Sequence, residues 1–279
     1  MIVGMRGHDL GKMPLDDFVK KLEELGVPEI QLALNKAISD YDFSVGHFSP
    51  GLARFIRGKL TQAGVHVPVL GSYIEPVIPD DAMRQAEINR FIENIKYAKY
   101  IGADMVGTET GHFNIHGRHN IGLTRTESAY QLLCKTMAEL IEAAESLGVI
   151  IGIEGVTVHT LYCPEIIKRF LDDMASQNVC VIFDPVNLID HTNVNRQEEL
   201  IEDVFTMYGD RVAAMHVKDF VIEGEKKREV PIGEGMMNFA ALMKRLKQSK
   251  PKISMLIEGG KAETFVRDKE FLEKVYKNL

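Results

Sequence analysis

Short apolar runs alternate with longer amphipathic segments from one end of the 279-residue chain to the other, and this alternation limits the fold more than any other feature. Eight runs read as strands: IVGMR (2–6), EIQLAL (29–34), VHVPVL (65–70), DMVGTE (104–109), VIIGIE (149–154), VCVIFD (179–184), VAAMHV (212–217) and ISMLIE (253–258). They are rich in β-branched residues and apolar on both faces, as strands of a buried parallel sheet are. Between them, segments such as PLDDFVKKLEEL, DAMRQAEINRFIENIKYAKYI and TRTESAYQLLCKTMAELIEAAESL repeat apolar residues at helical spacing, with Gly26, Gly102 and Gly148 placed as C-terminal stops. Eight successive strand-helix units without a run of hairpins predict a closed barrel or a doubly wound open sheet. The count favours the α/β class as a single-domain (β/α)8 barrel over residues 1–279, since such a barrel takes about 250 residues. No Pro-, Gly- or Ser-rich linker and no charge block marks a domain boundary. The longest unassigned pieces, TGHFNIHGRHNIGL and KDFVIEGEKKREVPIGEG, follow strands four and seven, on the side where barrel active sites are assembled.

A net charge of −7 argues against a nucleic-acid partner, because the phosphate backbone selects basic faces. No apolar run approaches the ~18 residues of a membrane span, and Arg6, His8 and Asp9 interrupt the N-terminus before a signal-peptide core can form. The expected location is the cytoplasm, with no membrane association. Cys134, Cys163 and Cys180 are widely spaced without a C-x-x-C pair, so they read as reduced, mostly buried thiols rather than disulfides, zinc ligands or a nucleophile. GMRGHDLGKM imitates a phosphate-binding loop but has Arg6 and Met13 where glycine and Ser/Thr are required, and no G-x-G-x-x-G opens a helix.

A carboxylate taken out of water without a partner is costly, yet IGIEGV puts Glu154 in a buried strand. The same strand-end position is held by Asp184 in VIFDPVNL, His216 in AAMHVKDF and Glu258 in MLIEGG. These residues recur at intervals of roughly 30 to 40, close to the length of a βαβ unit. Four consecutive strands therefore aim three carboxylates and one imidazole at a common mouth. Taken singly, each has an ordinary explanation as a cap, an ion pair or a hydrogen-bonded core histidine. Taken together, the carboxylates repel unless a cation sits between them, and a divalent metal is predicted. Three oxygens and one nitrogen form a hard ligand set that suits Mn²⁺ first, then Mg²⁺ or Co²⁺, and argues against a structural zinc.

IGIEGV, FDPVNL, MHVKDF, PIGEGMMNF and LIEGG, spread over nearly the whole chain, make the sequence similar to the xylose isomerase-like TIM-barrel superfamily. The likeness is to its sugar isomerases and epimerases, among them the ketose 3-epimerases, hydroxypyruvate isomerase and inosose dehydratase. The resemblance implies one divalent metal, Mn²⁺ before Mg²⁺, Co²⁺ or Zn²⁺, held by Glu154, Asp184, His216 and Glu258, with the two glutamates as an acid/base pair. It further implies a small sugar or polyol substrate, phosphorylated or not, and a homo-oligomer, dimer or tetramer. One position departs: Asn187 stands where relatives often place a histidine, and an amide can bond a hydroxyl but cannot act as a general base. The apurinic DNA-repair endonucleases of the superfamily need a histidine cluster for three zinc ions; Asn187 removes one, and Ser72 stands near where another is expected.

Around this set, Lys218 and Asp219 follow His216 directly, and Glu234 lies between two glycines of the long loop. Each reads equally as solvated surface or as a substrate contact. Glu109 and His112 after strand four, His159 after strand five, and Arg6 and His8 after strand one are candidates for the pocket by position alone. His116 and His119 are expected to face solvent. The chemistry that fits is aldose-ketose isomerisation or ketose epimerisation, with Glu154 and Glu258 moving a proton on opposite faces of a planar enediolate. An inosose-type dehydratase is the nearest rival, ahead of a metal-dependent hydrolase or endonuclease and of a non-catalytic sugar-binding barrel.

Overall fold

In the computed structural model, which describes residues 1–115 and 118–279, the eight apolar runs form parallel strands closed into one barrel. The strands are β1 (Ile2–Arg6), β2 (Glu29–Leu32), β3 (His66–Gly71), β4 (Ala103–Glu109), β5 (Ile150–Glu154), β6 (Val179–Phe183), β7 (Val212–Val217) and β8 (Ser254–Ile257). Each pairs with its neighbour in sequence, and β8 closes the ring on β1 with Gly4 opposite Leu256. The helices that follow them in turn are α1 (Leu15–Glu24), α2 (Pro50–Gln62), α3 (Asp81–Ile101), α4 (Glu127–Leu147), α5 (Pro164–Met174), α6 (Gln197–Tyr208), α7 (Phe239–Ser249) and α8 (Phe265–Lys277). Among the described residues, no helix is long and apolar enough to cross a membrane.

Local chemistry sets the ends of the longest helices. Asp80 and Thr126 accept hydrogen bonds from the backbone N–H of Met83 and Ala129, capping α3 and α4. Gly102 and Gly148 end them with φ of 80° and 59°, a conformation that glycine adopts without the Cβ penalty.

Alternation along each strand divides the structure into two apolar regions. Outward positions such as Met215 and Phe183 pack under the helices in the main core. Inward positions build a small inner cluster of Val69, Met105, Ile182, Ala214 and Leu256. The pairing registers keep this parity around the ring: Gly71 lies opposite Gly107, Gly107 opposite Gly152, and Glu109 opposite Glu154. Gly107 and Gly152 make room for the larger inner side chains. A Cβ at Gly107 would lie 2.7 Å from Val69 Cγ1 and 2.9 Å from Ile182 Cδ1, both on stiff β-branched residues. Gly107→Ala is therefore expected to cost about 1–3 kcal/mol by overpacking, measured by denaturant unfolding of the metal-free protein. Unchanged stability would mean that the inner layer is looser than this packing.

The segment after β7, expected as a loop, contains an antiparallel hairpin, Asp219–Glu223 with Lys226–Val230, paired from Asp219 opposite Val230 to Glu223 opposite Lys226. Its signal was local: DFVIE and KKREV flank a two-residue Gly-Glu turn, and Gly224 takes a φ of 64°. Of the cysteines, Cys134 is buried, whereas Cys163 and Cys180 are half-buried. Burial raises all three thiols above their ordinary pKa, which fits inert side chains.

Candidate metal centre

Strand parity assembles the site. Positions inward on β5, β6, β7 and β8 reach the C-terminal rim as Glu154, Asp184, His216 and Glu258, and each offers a donor atom within 4.8 Å of all the others. Glu154, Asp184 and His216 are almost fully buried, and Glu258 is the more open member. His216 Nδ1 lies 3.1 Å from Glu154 Oε1 and 3.4 Å from Glu258 Oε2. Asp184 uses Oδ1 to accept from the backbone N–H of Val186 (2.9 Å) and of Asn187 (3.3 Å). The turn Val186–Leu188 brings Asn187 back over the site, where its Nδ2 donates to Glu154 Oε1 at 2.8 Å.

The expected like-charge cluster is not left to a metal alone. Lys218, also on the inward parity of β7, places Nζ 2.7 Å from Glu258 Oε1 and 3.2 Å from Asp184 Oδ2. Arg6 at the end of β1 approaches Glu258 Oε1 at 3.1 Å while its other nitrogens grip Asp9. Two cations thus already oppose the three carboxylates, which corrects the expectation that only a metal could do so.

These neighbours set the proton affinities. Burial pushes the Asp184 carboxyl up to about 6, with Lys218 pulling it down and Glu258 and Glu154 pushing it further up. Burial would raise Glu258 too, but Lys218, His216 and Arg6 hold it at about 2. Burial works against a charged His216, yet Glu154, Glu258 and Asp184 outweigh it and raise its pKa.

A divalent cation fits the same atoms. Among the described residues Asp184 Oδ2 is buried and accepts no hydrogen bond; the Lys218 ammonium 3.2 Å away offsets its charge without one, and a divalent cation would take the oxygen in its place. His216 Nε2 faces Gln31 Oε1 at 2.5 Å, and the Gln31 amide nitrogen donates to the Tyr73 hydroxyl. Gln31 thereby presents its oxygen to the ring, keeps the imidazole proton on Nε2 and leaves Nδ1 aimed at the carboxylates.

The remaining candidates divide by position. Glu109, opposite Glu154 on β4, is pushed up to about 7 by burial and by the charges of Glu154 and Glu258. His159 Nε2 lies 3.7 Å from Glu109 Oε2, and the His159 ring stacks on His112 at 5.2 Å between centroids. Burial, with His112 next to it, lowers His159 to about 3, so both rings are uncharged at neutral pH. His8 sits beside Asp9 at 4.0 Å and is lowered to about 4 by burial and Arg6. His119 ends a short hairpin, exposed, with its ring against His112; His116 lies outside the described residues.

Two expectations are revised by where the side chains go. Asp219 falls on the outward parity next to Lys218 and spends both oxygens on backbone N–H groups of Phe220, Gly233, Gly235 and Met237. It clamps the loop, and a Cβ at Gly235 would run into it. Glu234 is exposed and pairs with Arg267 on α8 at 3.1 Å. Sequence reasoning had missed Gln31, Tyr73, Asp9, which also accepts from Gly259 N at 2.8 Å, and Glu229, whose Oε1 lies 3.5 Å from Lys218 Nζ. Lys218, Glu229, Glu258, Gly259, Gly260 and Lys261 line part of a cavity of about 250 Å³ that opens beside the cluster.

A family profile described as the xylose isomerase-like TIM barrel matches residues 9–275. An uncharacterized protein of Methanocaldococcus jannaschii is 28% identical over 146 residues, covering 50% of this chain and 46% of its own, so the chain spans about half the length of the curated relative it matches. Among solved structures, a D-tagatose 3-epimerase-like protein superposes with a TM-score of 0.77 at 18% identity, over 99% of this chain and 97% of the other. The IolI protein with a bound zinc atom superposes at 0.74 and 16% identity, over 100% and 99%. At these identities the likeness to the solved structures is one of fold.

Proposed function

The chain belongs to the xylose isomerase-like TIM-barrel family, and from that premise we propose that it is a divalent-metal-dependent sugar isomerase or epimerase that moves a proton next to a carbonyl through an enediolate. The observation that carries this is the placement of Glu154 and Glu258, which arrive from β5 and β8 on either side of Asp184 and His216 with all four donor atoms converging. Glu154, Asp184, His216 and Glu258 would hold one ion, Mn²⁺ in first place and Mg²⁺, Co²⁺ or Zn²⁺ after it. When bound, such an ion polarises a carbonyl oxygen and stabilises negative charge that develops on it. Glu258, held ionised by Lys218, His216 and Arg6, is in the form a base needs, and it becomes basic enough to accept a carbon-bound proton as the Lys218 contact is given up. Glu154 stands on the other side of the cluster, oriented by Asn187, and can return a proton to the opposite face. Glu109, His112 and His159 are positioned to bond substrate hydroxyls at the β4–β5 side of the rim. The epimerase-like fold neighbour supports this class of chemistry, and the zinc of IolI supports a divalent ion without favouring Mn²⁺.

The test is an NMR screen of ketoses and inososes in D₂O with Mn²⁺ returned to stripped protein. An isomerase or epimerase places deuterium on the carbon next to the carbonyl, because a carboxylate base can lose its proton to solvent before giving one back. Loss of water from the substrate instead would assign an inosose-type dehydratase. No exchange and no conversion across the panel would leave hydrolysis or sugar binding as the better account.

A further inference from the structure

Lys218 is in an unusual position for a residue of a metal centre. Its Nζ contacts two of the four candidate donors, Glu258 and Asp184, at 2.7 and 3.2 Å, and a third carboxylate outside that set, Glu229, at 3.5 Å. The Lys218 side chain is 6% exposed, whereas Glu229 is 55% exposed on the hairpin and reaches over the loop after β8, with Oε2 3.1 Å from the place of a Cβ on Gly259. Burial opposes the charge on Lys218, but Asp184, Glu258 and Glu154 outweigh it and keep the ammonium protonated. Arg6, the other cation, has its guanidinium fork tied to Asp9. Lysine carries a point charge on a flexible four-carbon stem, so of the two it is the one free to move.

We propose that Lys218 is a displaceable counter-ion: its ammonium holds Asp184 and Glu258 together in the metal-free protein and withdraws to Glu229 when a divalent cation claims those oxygens. This rests on the metal-site assignment made above. Without such a charge, burial of three carboxylates around one imidazole would strain the empty barrel through repulsion. With it, metal uptake becomes an exchange of one cation for another, and Lys218 and Glu229 together set the affinity.

The experiment is a calorimetric titration of stripped protein with Mn²⁺ at fixed pH, with melting temperatures recorded in excess chelator. Lys218→Met keeps the stem and removes the charge; it should bind Mn²⁺ on the order of tenfold or more tightly, since a fixed positive charge no longer opposes the ion, and should melt at a lower temperature when metal-free. Glu229→Gln, on the exposed hairpin, leaves the ammonium without its retreat and should weaken Mn²⁺ binding. That weakening should vanish in the double variant, because it acts only through Lys218. Lys218→Met with unchanged or weaker Mn²⁺ affinity, no drop in its metal-free melting temperature, or a Glu229→Gln effect of equal size in both backgrounds would each overturn the proposal. Should Lys218→Met fail to fold, Glu229→Gln alone decides, and unaltered affinity rejects the idea. A wild-type protein that takes up no Mn²⁺, Mg²⁺, Co²⁺ or Zn²⁺ defeats the metal-site assignment itself, whereas normal wild-type binding with indifferent variants defeats only the role given to Lys218.

Discussion

Glutamine at either Glu154 or Glu258 is expected to slow turnover by a factor on the order of 10² or more, with deuterium exchange at the substrate carbon suppressed in parallel. The substitution keeps the shape of the side chain and an oxygen that can still face a cation, but removes the group that accepts the proton. The two variants should differ in their side effects. Glu258 receives the buried Lys218 and the half-buried Arg6, so Glu258→Gln leaves both cations short of a partner and should also lower metal-free stability. Glu154 receives the Asn187 amide, which a glutamine oxygen can still accept, so Glu154→Gln should lose rate with less disturbance of the fold. Turnover and metal content must be measured on the same samples, because lost metal would mimic a lost base. Full activity in either variant with metal still bound would end the two-base mechanism.

Strand parity explains how much of this site was legible in the sequence. A polar residue at the inward position of an otherwise apolar strand has no ordinary reason to be there, and that signal found Glu154, Asp184, His216 and Glu258. The same signal was present at Gln31, in the middle of EIQLAL, and it would have found the partner of His216. Parity also separates Lys218 from Asp219: two residues past His216 returns to the inward face, three does not, and only Lys218 reaches the donors. What no periodicity could supply is the contact between Glu229 and Lys218, since it depends on the register of the hairpin and on how it folds across the mouth. Asn187 was likewise legible as a neighbour of Asp184, but its bond to Glu154 requires the turn Val186–Leu188 that reverses its direction. The barrel itself was readable because eight repeats of one pattern leave few ways to close a sheet, while the boundaries of β2 and β8 shifted by one or two residues as their ends turned into loops.

His216→Ala should reduce divalent-metal affinity by a factor on the order of 10² or more, and Gln31→Met by about 10 to 100, although Gln31 contributes no donor atom to the site. The ring of His216 is fully buried, so its nitrogens have only the partners the barrel provides. Nε2 donates to Gln31 Oε1, and Gln31 cannot turn its amide around without losing the bond it donates to Tyr73. That chain of bonds leaves Nδ1 as the nitrogen presented to Glu154, Glu258 and any ion among them. A methionine at Gln31 fills a similar volume but removes the acceptor, so the buried Nε2–H is unsatisfied and the tautomer with its proton on Nδ1 gains ground, blocking the donor. Competition against a metal-binding dye gives the affinities, and far-UV circular dichroism of the stripped variants separates a damaged site from a damaged fold. If His216→Ala bound metal as tightly as the wild type, the imidazole would not be a ligand; if only Gln31→Met did so, His216 would bind without help from its buried partner, and the orientation of its ring would be set by the carboxylates alone.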